Sequence, residues 1–165
     1  MRSNARIWLP LVCALQLAAC VSPGPGDLSA GASVSDVITR MGKPSSELPL
    51  ADGGRQLEYL RGPCGHYTFM VNVGRDGKVR AIDQVLRDEY FAKILPGMTE
   101  PAVLALIGHP LQTLTFEQIN DVVGTYRYAE AASTEAWFKV HYDLNGKVTR
   151  TERRTRLQNG SCDNP

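Results

Sequence analysis

Residues 97–110 read GMTEPAVLALIGHP, and residues 31–44 read GASVSDVITRMGKP. Laid over each other without gaps, they share a leading glycine (Gly31, Gly97) and a hydroxyl residue two places on (Ser33, Thr99). An apolar pair follows (Val37–Ile38, Val103–Leu104), and both stretches close on an apolar residue, glycine, a basic-type residue and proline. Ser33 and Thr99 are N-cap residues, whose oxygens accept from the orphan amides of a first helical turn. Asp36 stands three after Ser33, an approximate capping-box spacing, and Pro101 falls in a first turn, where proline is tolerated. Val37 and Met41, like Val103 and Ile107, lie four apart and share a helix face. Gly42 and Gly108 suit a left-handed C′ position, and the following Pro44 and Pro110 forbid continuation. The pattern predicts a short helix in each stretch, with both ends specified.

The repetition continues downstream. TFMVNVGRDGKV (68–79) matches WFKVHYDLNGKV (137–148), with identities at Phe69/Phe138, Val71/Val140, Gly77/Gly146, Lys78/Lys147 and Val79/Val148. At the same offset of 69, Leu57 and Tyr59 fall on Tyr126 and Tyr128, which places three extra residues in a loop of the second copy. Alternation at Phe69, Val71, Val73 and at Phe138, Val140, Tyr142 is strand periodicity with one buried face. Asp76-Gly77 and Asn145-Gly146 are tight-turn pairs, and Asp52-Gly53-Gly54 reads as a hairpin turn. The expected fold class is α+β: two tandem modules, each with short helices packed on a three-stranded antiparallel sheet. Phe69/Phe138 and Val71/Val140 should be buried at equivalent positions.

The first twenty residues, MRSNARIWLPLVCALQLAAC, carry Arg2 and Arg6, no acid, and an apolar run too short to span a bilayer. This is the make-up of a secretory signal, and Leu17-Ala18-Ala19-Cys20 looks like a bacterial lipobox. Cleavage between Ala19 and Cys20 would leave Cys20 as a lipidated first residue, its acyl chains of the palmitate kind. Val21 follows the cysteine where inner-membrane retention would call for aspartate, so the expected location is the outer membrane, facing the periplasm. Ser22 to Asp27, SPGPGD, is a stiff spacer. The expected plan is a signal peptide (1–19), a lipidated N-terminus and spacer (20–30), modules at 31–87 and 88–157, and a polar tail (158–165).

Loss of residues 1–19 removes two arginines and turns the formal net charge from +1 to −1, which gives no case for nucleic-acid binding. Each copy alone would be marginally stable at its size, so the two should pack together.

The segment FAKILPGMTEPAVLALIGHP, the aromatic strand YRYAE and then WFKVHYDLNGKV resemble the SmpA/OmlA family of outer-membrane lipoproteins. The matching positions are Gly97-Met98-Thr99, Val103, Ile107-Gly108 and Pro110, then Phe138, Val140, Asp143 and Gly146. The resemblance implies helices on a three-stranded antiparallel sheet, with DEYFAKIL (88–95) as a preceding helix capped by Asp88 and GDLSA (26–30) as its stunted counterpart. It also implies a protein-interaction role without catalysis, in β-barrel assembly or envelope integrity, with barrel-assembly subunits as partners. Where the family's assembly subunit has one such unit, this chain has two. Tandem units also resemble β-lactamase inhibitor proteins, which implies as an alternative a binding module aimed at an envelope or secreted enzyme.

Nothing in the residues points to chemistry. His109 replaces Lys43 in a helix-ending turn, and His141 alternates outward from Val140 and Tyr142 to a solvated strand position. Cys64-Gly65-His66 could be half a metal site, but no second pair at ligand spacing accompanies it. No strained nucleophile motif or phosphate loop occurs. The expectation is no enzyme, no metal and no cofactor beyond the lipid on Cys20. With Cys13 removed and Cys20 acylated, Cys64 and Cys162 remain, and an oxidising compartment favours pairing them over leaving a free tail thiol.

Two features could mark a partner site. The last strand, KVTRTERRTRL (147–157), carries five basic residues against Glu152. It reads either as a charged edge that blocks sheet-to-sheet aggregation, or as a cationic strip, with Arg150, Arg154 and Arg156, for lipid head groups or an acidic partner. Trp137, one residue from inward-facing Phe138, falls on the other sheet face, as an interface anchor or packed on the other module.

Overall fold

Helix α1, Val34–Met41, begins where its cap predicts. The Ser33 hydroxyl accepts the Asp36 N–H, while the Asp36 carboxylate accepts the Ser33 N–H at 3.0 Å, so the capping box is complete. Hydrogen bonds from the Ser33 hydroxyl, at 2.7 Å, and from the Ser33 N–H hold the Asp36 carboxyl below its ordinary pKa. The computed structural model describes residues 24–131 and 134–157. After α1 come β1 (Ser46–Pro49), β2 (Arg55–Arg61), β3 (Tyr67–Val73) and β4 (Val79–Gln84), all antiparallel in that spatial order. The second copy adds a one-turn helix α2 (Asp88–Phe91), then α3 (Glu100–Ile107), β5 (Gln112–Phe116), β6 (Asp121–Ala131), β7 (Thr134–Tyr142) and β8 (Val148–Leu157), again in consecutive antiparallel order. No helix among the described residues is long and apolar enough to cross a membrane.

The α+β class with two tandem modules holds, but each sheet has four strands instead of the expected three. The additions, β1 and β5, lie in stretches read as loop. Both are short edge strands with exposed apolar side chains, so they lack the one-face burial that makes a strand conspicuous in sequence. Pro49 is tolerated because it sits on an edge.

Strand register also corrects the alignment. Leu57 pairs with Val71, and the residue paired with Val140 is Gly124; likewise Tyr59 pairs with Phe69 and Tyr126 with Phe138. The counterpart of Tyr59 is therefore Tyr126, not Tyr128. Of the three extra residues, one falls before β6 and two between β6 and β7.

The equivalences extend to the backbone. Gly31 N–H donates to Val79 O and Gly97 N–H to Val148 O, both at 2.8 Å, which ties each helix entrance to the last strand of its sheet. Gly42 and Gly108 close their helices with N–H bonds to Ile38 O and Leu104 O. Their torsions, φ 76° ψ −165° and φ 80° ψ −169°, are not the left-handed helical ones expected. The chain passes straight from helix to extended strand through a quadrant essentially restricted to glycine.

The first core gathers Val37, Met41, Leu57, Tyr59, Val71, Val73 and Val79. The second gathers Val103, Ile107, Tyr126, Phe138, Val140, Tyr142 and Val148 at matching places, with Tyr128 in addition. Val71 and Val140 are fully buried, and Phe138 is buried, but Phe69 is only partly so. The difference has a cause. In the second module Phe91 of α2 stacks on Phe138 at 4.0 Å and meets Tyr128 edge-on at 4.9 Å, whereas the first module has only the turn around Leu28 there. Asp88 is not the cap of α2. Arg87 occupies that position without a side-chain capping bond, and Asp88 pairs with Arg153 at 2.7 Å.

The modules join back to front. Met70, Val85 and Leu86 of the first module belong to the second module's core. On the back of the first sheet, buried Glu58 accepts the His109 N–H at 2.8 Å and faces His109 Nδ1 at 2.5 Å. The Tyr126 hydroxyl donates to Gly108 O at 3.0 Å, so the end of α3 is held from both sheets.

This junction separates two glycines with the same torsions. A Cβ on Gly42 would meet nothing within 4 Å, but one on Gly108 would lie 2.7 Å from Glu58 Oε1 and 3.0 Å from Thr68 Cγ2. Gly42→Ala should cost about 1–3 kcal/mol of backbone strain. Gly108→Ala should cost about 1–3 kcal/mol more, from overpacking at the junction. Urea unfolding of both variants checks this, and equal losses would contradict it.

Candidate functional site

Each sheet has a front, covered by its own helix, and a back. On the first sheet the back positions Glu58, Thr68 and Met70 are buried, because α3 of the second module lies against them. The register makes Ser46, Leu48, Gln56, Glu58 and Met70 of that back equivalent in position to Gln112, Leu114, Val123, Thr125 and Lys139 of the second sheet. Both five-residue sets line grooves of about 190 Å³. The first groove is walled on its other side by Pro101, Leu104 and His109 of α3 and its end. Among the described residues the second is walled by its own sheet and the β5–β6 connection, and Leu114 and Phe116 are each 42 % exposed and Ile119 69 % exposed.

Charged groups rim this apolar patch. Asp121 Oδ2 lies 2.8 Å from His141 Nδ1 and 3.6 Å from Arg150 Nη1, and His141 Nε2 faces Glu152 Oε2 at 3.7 Å. The Arg154 guanidinium beside Glu152 holds that carboxyl below its ordinary pKa, with His141 and Lys139 adding to the effect. His141 does point to the face opposite Val140, as alternation predicts, but it is not solvated. It is 5 % exposed, because Asp121 and Glu152 flank both ring nitrogens. Among the described residues, no cluster of His, Cys, Asp or Glu is arranged to hold a metal ion.

The other half of the second back is closed. Trp137, read either as an interface anchor or as packed within the molecule, is 6 % exposed. Arg127 lies over its ring at 4.4 Å, Glu135 Oε1 pairs with Arg127 Nε at 2.9 Å, and His66 of the first module meets Glu135 Oε2 at 3.7 Å. Strand β5 pairs only with Asp121–Thr125, so beyond it β3 and the 3₁₀ turn Pro63–Gly65 of the first module approach β6 and cover this half. Of the two readings of Trp137, interface anchor or packing within the molecule, its burial under Arg127 supports packing.

The register sets Arg150 opposite His141, Arg154 opposite Trp137 and Arg156 opposite Glu135, all on the second back. Arg150 and Arg154 remain exposed but pair with Asp121 and Glu152, and Arg153 on the front pairs with Asp88. Such pairing favours a charged edge strand over a bare cationic strip. The side chain of Arg156 lies outside the described residues. So do Ala19, Cys20 and Cys162. Cys64 sits in the 3₁₀ turn at φ 59° and is disulfide-bonded; every other cysteine of the chain lies outside the described residues. His109 fills its turn as expected, and Glu58 engages it there.

No protein-family model matches this chain, and no curated protein matches it. Three solved structures show remote likeness. A proposed β-lactamase inhibitor protein from Streptococcus mutans is 14 % identical, with 81 % of this chain and 89 % of that one covered and a TM-score of 0.33. An extracellular SCP-domain protein from Bacillus anthracis is 10 % identical over 78 % of this chain and 44 % of that one, at a TM-score of 0.28. YjgB of Bacillus subtilis, a DUF4309 family protein, is 15 % identical over 77 % and 79 %, at 0.26. TM-scores of this size do not establish a shared fold.

Burial of His66 lowers its pKa from 6.5; Glu135 opposes the shift and Arg127 adds to it. The unfolded chain therefore takes up this proton at a higher pH than the folded one does. Stability should be fully retained above the ordinary value and should fall as pH drops through it toward the folded value. Melting temperatures from about pH 7.5 to about pH 5.5 should decline, and His66→Gln should flatten that decline. A slope unchanged by the substitution would contradict the assignment.

Proposed function

We propose that this chain is a non-enzymatic lipoprotein of the outer membrane, anchored through Cys20 and facing the periplasm, which acts by binding proteins. Its task in this reading is β-barrel assembly or envelope integrity. The observation that carries the binding role is the part of the second sheet's back, at β5, that no described residue covers. It holds an apolar centre of Leu114, Phe116 and Ile119 with a rim of Asp121, Arg150 and Glu152, while the equivalent surface of the first sheet is occupied by α3. An exposed apolar patch rimmed by polar groups is the make-up of a protein contact. The lipobox at Leu17–Cys20 and the spacer after it support the location. The SmpA/OmlA-like wording of residues 97–148 supports the assembly role.

The test is complementation in a strain that lacks the gene. Loss of the protein should raise outer-membrane permeability and lower barrel-protein levels, and the intact chain should restore both. Cys20→Ser should fail and fractionate with the soluble periplasm. Phe116→Asp should reach the membrane and still fail. A deletion without effect on permeability and barrel levels would overturn the assembly role. Full rescue by Phe116→Asp would remove the groove from it. Co-purification of the intact chain with a hydrolase, and loss of that enzyme's activity, would favour the inhibitor-like alternative.

A further inference from the structure

We infer that strand β5 pairs antiparallel with β5 of a second copy of this chain, joining two four-stranded sheets into one across a two-fold axis at Leu114. The inference rests on the reading of the β5 patch as a protein-binding surface, and it names the occupant. Among the described residues the sheet edges are β1, β4, β5 and β8. Three of them are guarded in the ways that keep an edge from pairing with another chain. Strand β1 carries Glu47 and ends on Pro49, β4 carries Arg80 and Asp83, and β8 carries Arg150, Glu152, Arg153 and Arg154. Strand β5, QTLTF, has neither a charge nor a proline. Thr113, Leu114, Thr115 and Phe116 are exposed on both faces of the sheet, and exposed Leu111 and Ile119 flank them. On the side away from β6, no described residue takes up the outward backbone N–H and C=O groups of this strand.

An open row of backbone donors and acceptors is completed by another extended backbone, so the occupant is a strand. The residues of β5 make it complementary to itself. Centred on Leu114, an antiparallel pair sets Leu114 against Leu114 of the second copy, Thr113 against Thr115, and Gln112 against Phe116. Leu114 is the middle residue, so this register holds whether its own backbone groups point toward β6 or outward. Threonines directly opposite each other are a favourable cross-strand pair. The charges agree as well. Between Leu111 and Ile119 the one charged side chain is Glu117. In the antiparallel pair each Glu117 lies beyond Gln112 of the other copy, on the side of its His109, whereas a parallel pair would set the two carboxylates side by side. Both Leu114 side chains point to the same side, so the two grooves open together. Phe116 and Leu114 of each copy then form one apolar stripe across the axis. The contact is isologous and closes at two copies.

Photocrosslinking of the full-length lipidated chain in the envelope tests the occupant, with a benzophenone amino acid at position 114 and, as a control, at exposed Leu144. The expected result is an adduct of dimer size from position 114 alone, with residues 112–116 in both linked peptides. Thr113→Lys combined with Thr115→Lys sets like charges directly opposite each other and should cut the adduct about tenfold, with circular dichroism unchanged. Cysteine variants test the register. Leu114→Cys should give a disulfide-linked dimer on mild oxidation. Gln112→Cys alone should not, because its two copies stand about 13 Å apart along the strands, but made together with Phe116→Cys it should link to that variant. Self-adducts that map elsewhere or persist in the double lysine variant, adducts within one copy, or dimers linked as well through position 112 alone would overturn the inference. An adduct with a different protein would overturn it too, while leaving the groove a protein-binding surface. No adduct from position 114 would sink both readings.

Discussion

One buried carboxylate organises the molecule. Glu58 lies on the back of the first sheet, 6 % exposed, and an uncompensated charge there would be costly. It is compensated from the other module, by the His109 N–H and ring at the end of α3. Glu58 therefore draws α3 between two sheets. Val103 and Ile107 pack on the helix's own sheet, while Leu104 and Gly108 face the neighbour's back. Neither module would bury enough surface alone for secure stability, and this shared helix makes one body of two repeats.

The same contact breaks the equivalence of the copies. In the first module the back of the sheet has become interior, so it carries Met70 and Thr68. In the second, Leu114 and Phe116 at the β5 edge stay exposed among the described residues, and half-buried Lys139 stands where Met70 does. The back of the first sheet is satisfied by the end of α3, whereas the second sheet has Thr125 where Glu58 stands in the first and lacks the carboxylate that holds a helix end there. His66, Glu135, Arg127 and Trp137 close the remaining half and fix where the groove ends.

Much of the fold was legible because its signals are local. Caps at Ser33 and Thr99, glycine stops at Gly42 and Gly108 and turns at Gly77 and Gly146 depend on a few neighbouring residues, and all appear where the sequence puts them. The edge strands β1 and β5 were not legible, since an edge with exposed Leu48, Leu114 and Phe116 has no buried face to impose alternation. Yet Thr113, Leu114, Thr115 and Phe116 do alternate, and that was the available signal for the groove. His141 was placed on the correct face but in the wrong environment, and for Trp137 the face was legible while the choice between exposed anchor and packed ring was not. Local alternation decides which way a side chain points; what covers it comes from Arg127, His66 and Asp121, distant in sequence.

The most direct test of the central account is amide hydrogen exchange at His109. Its N–H donates to a side chain of the other module, while exposed Lys43 occupies the same place in the first repeat. The account predicts strong protection at His109 and little at Lys43, with the His109 protection lost in Glu58→Ala. Exchange at His109 as fast as at Lys43 in the intact chain, or protection that survives Glu58→Ala, would contradict it.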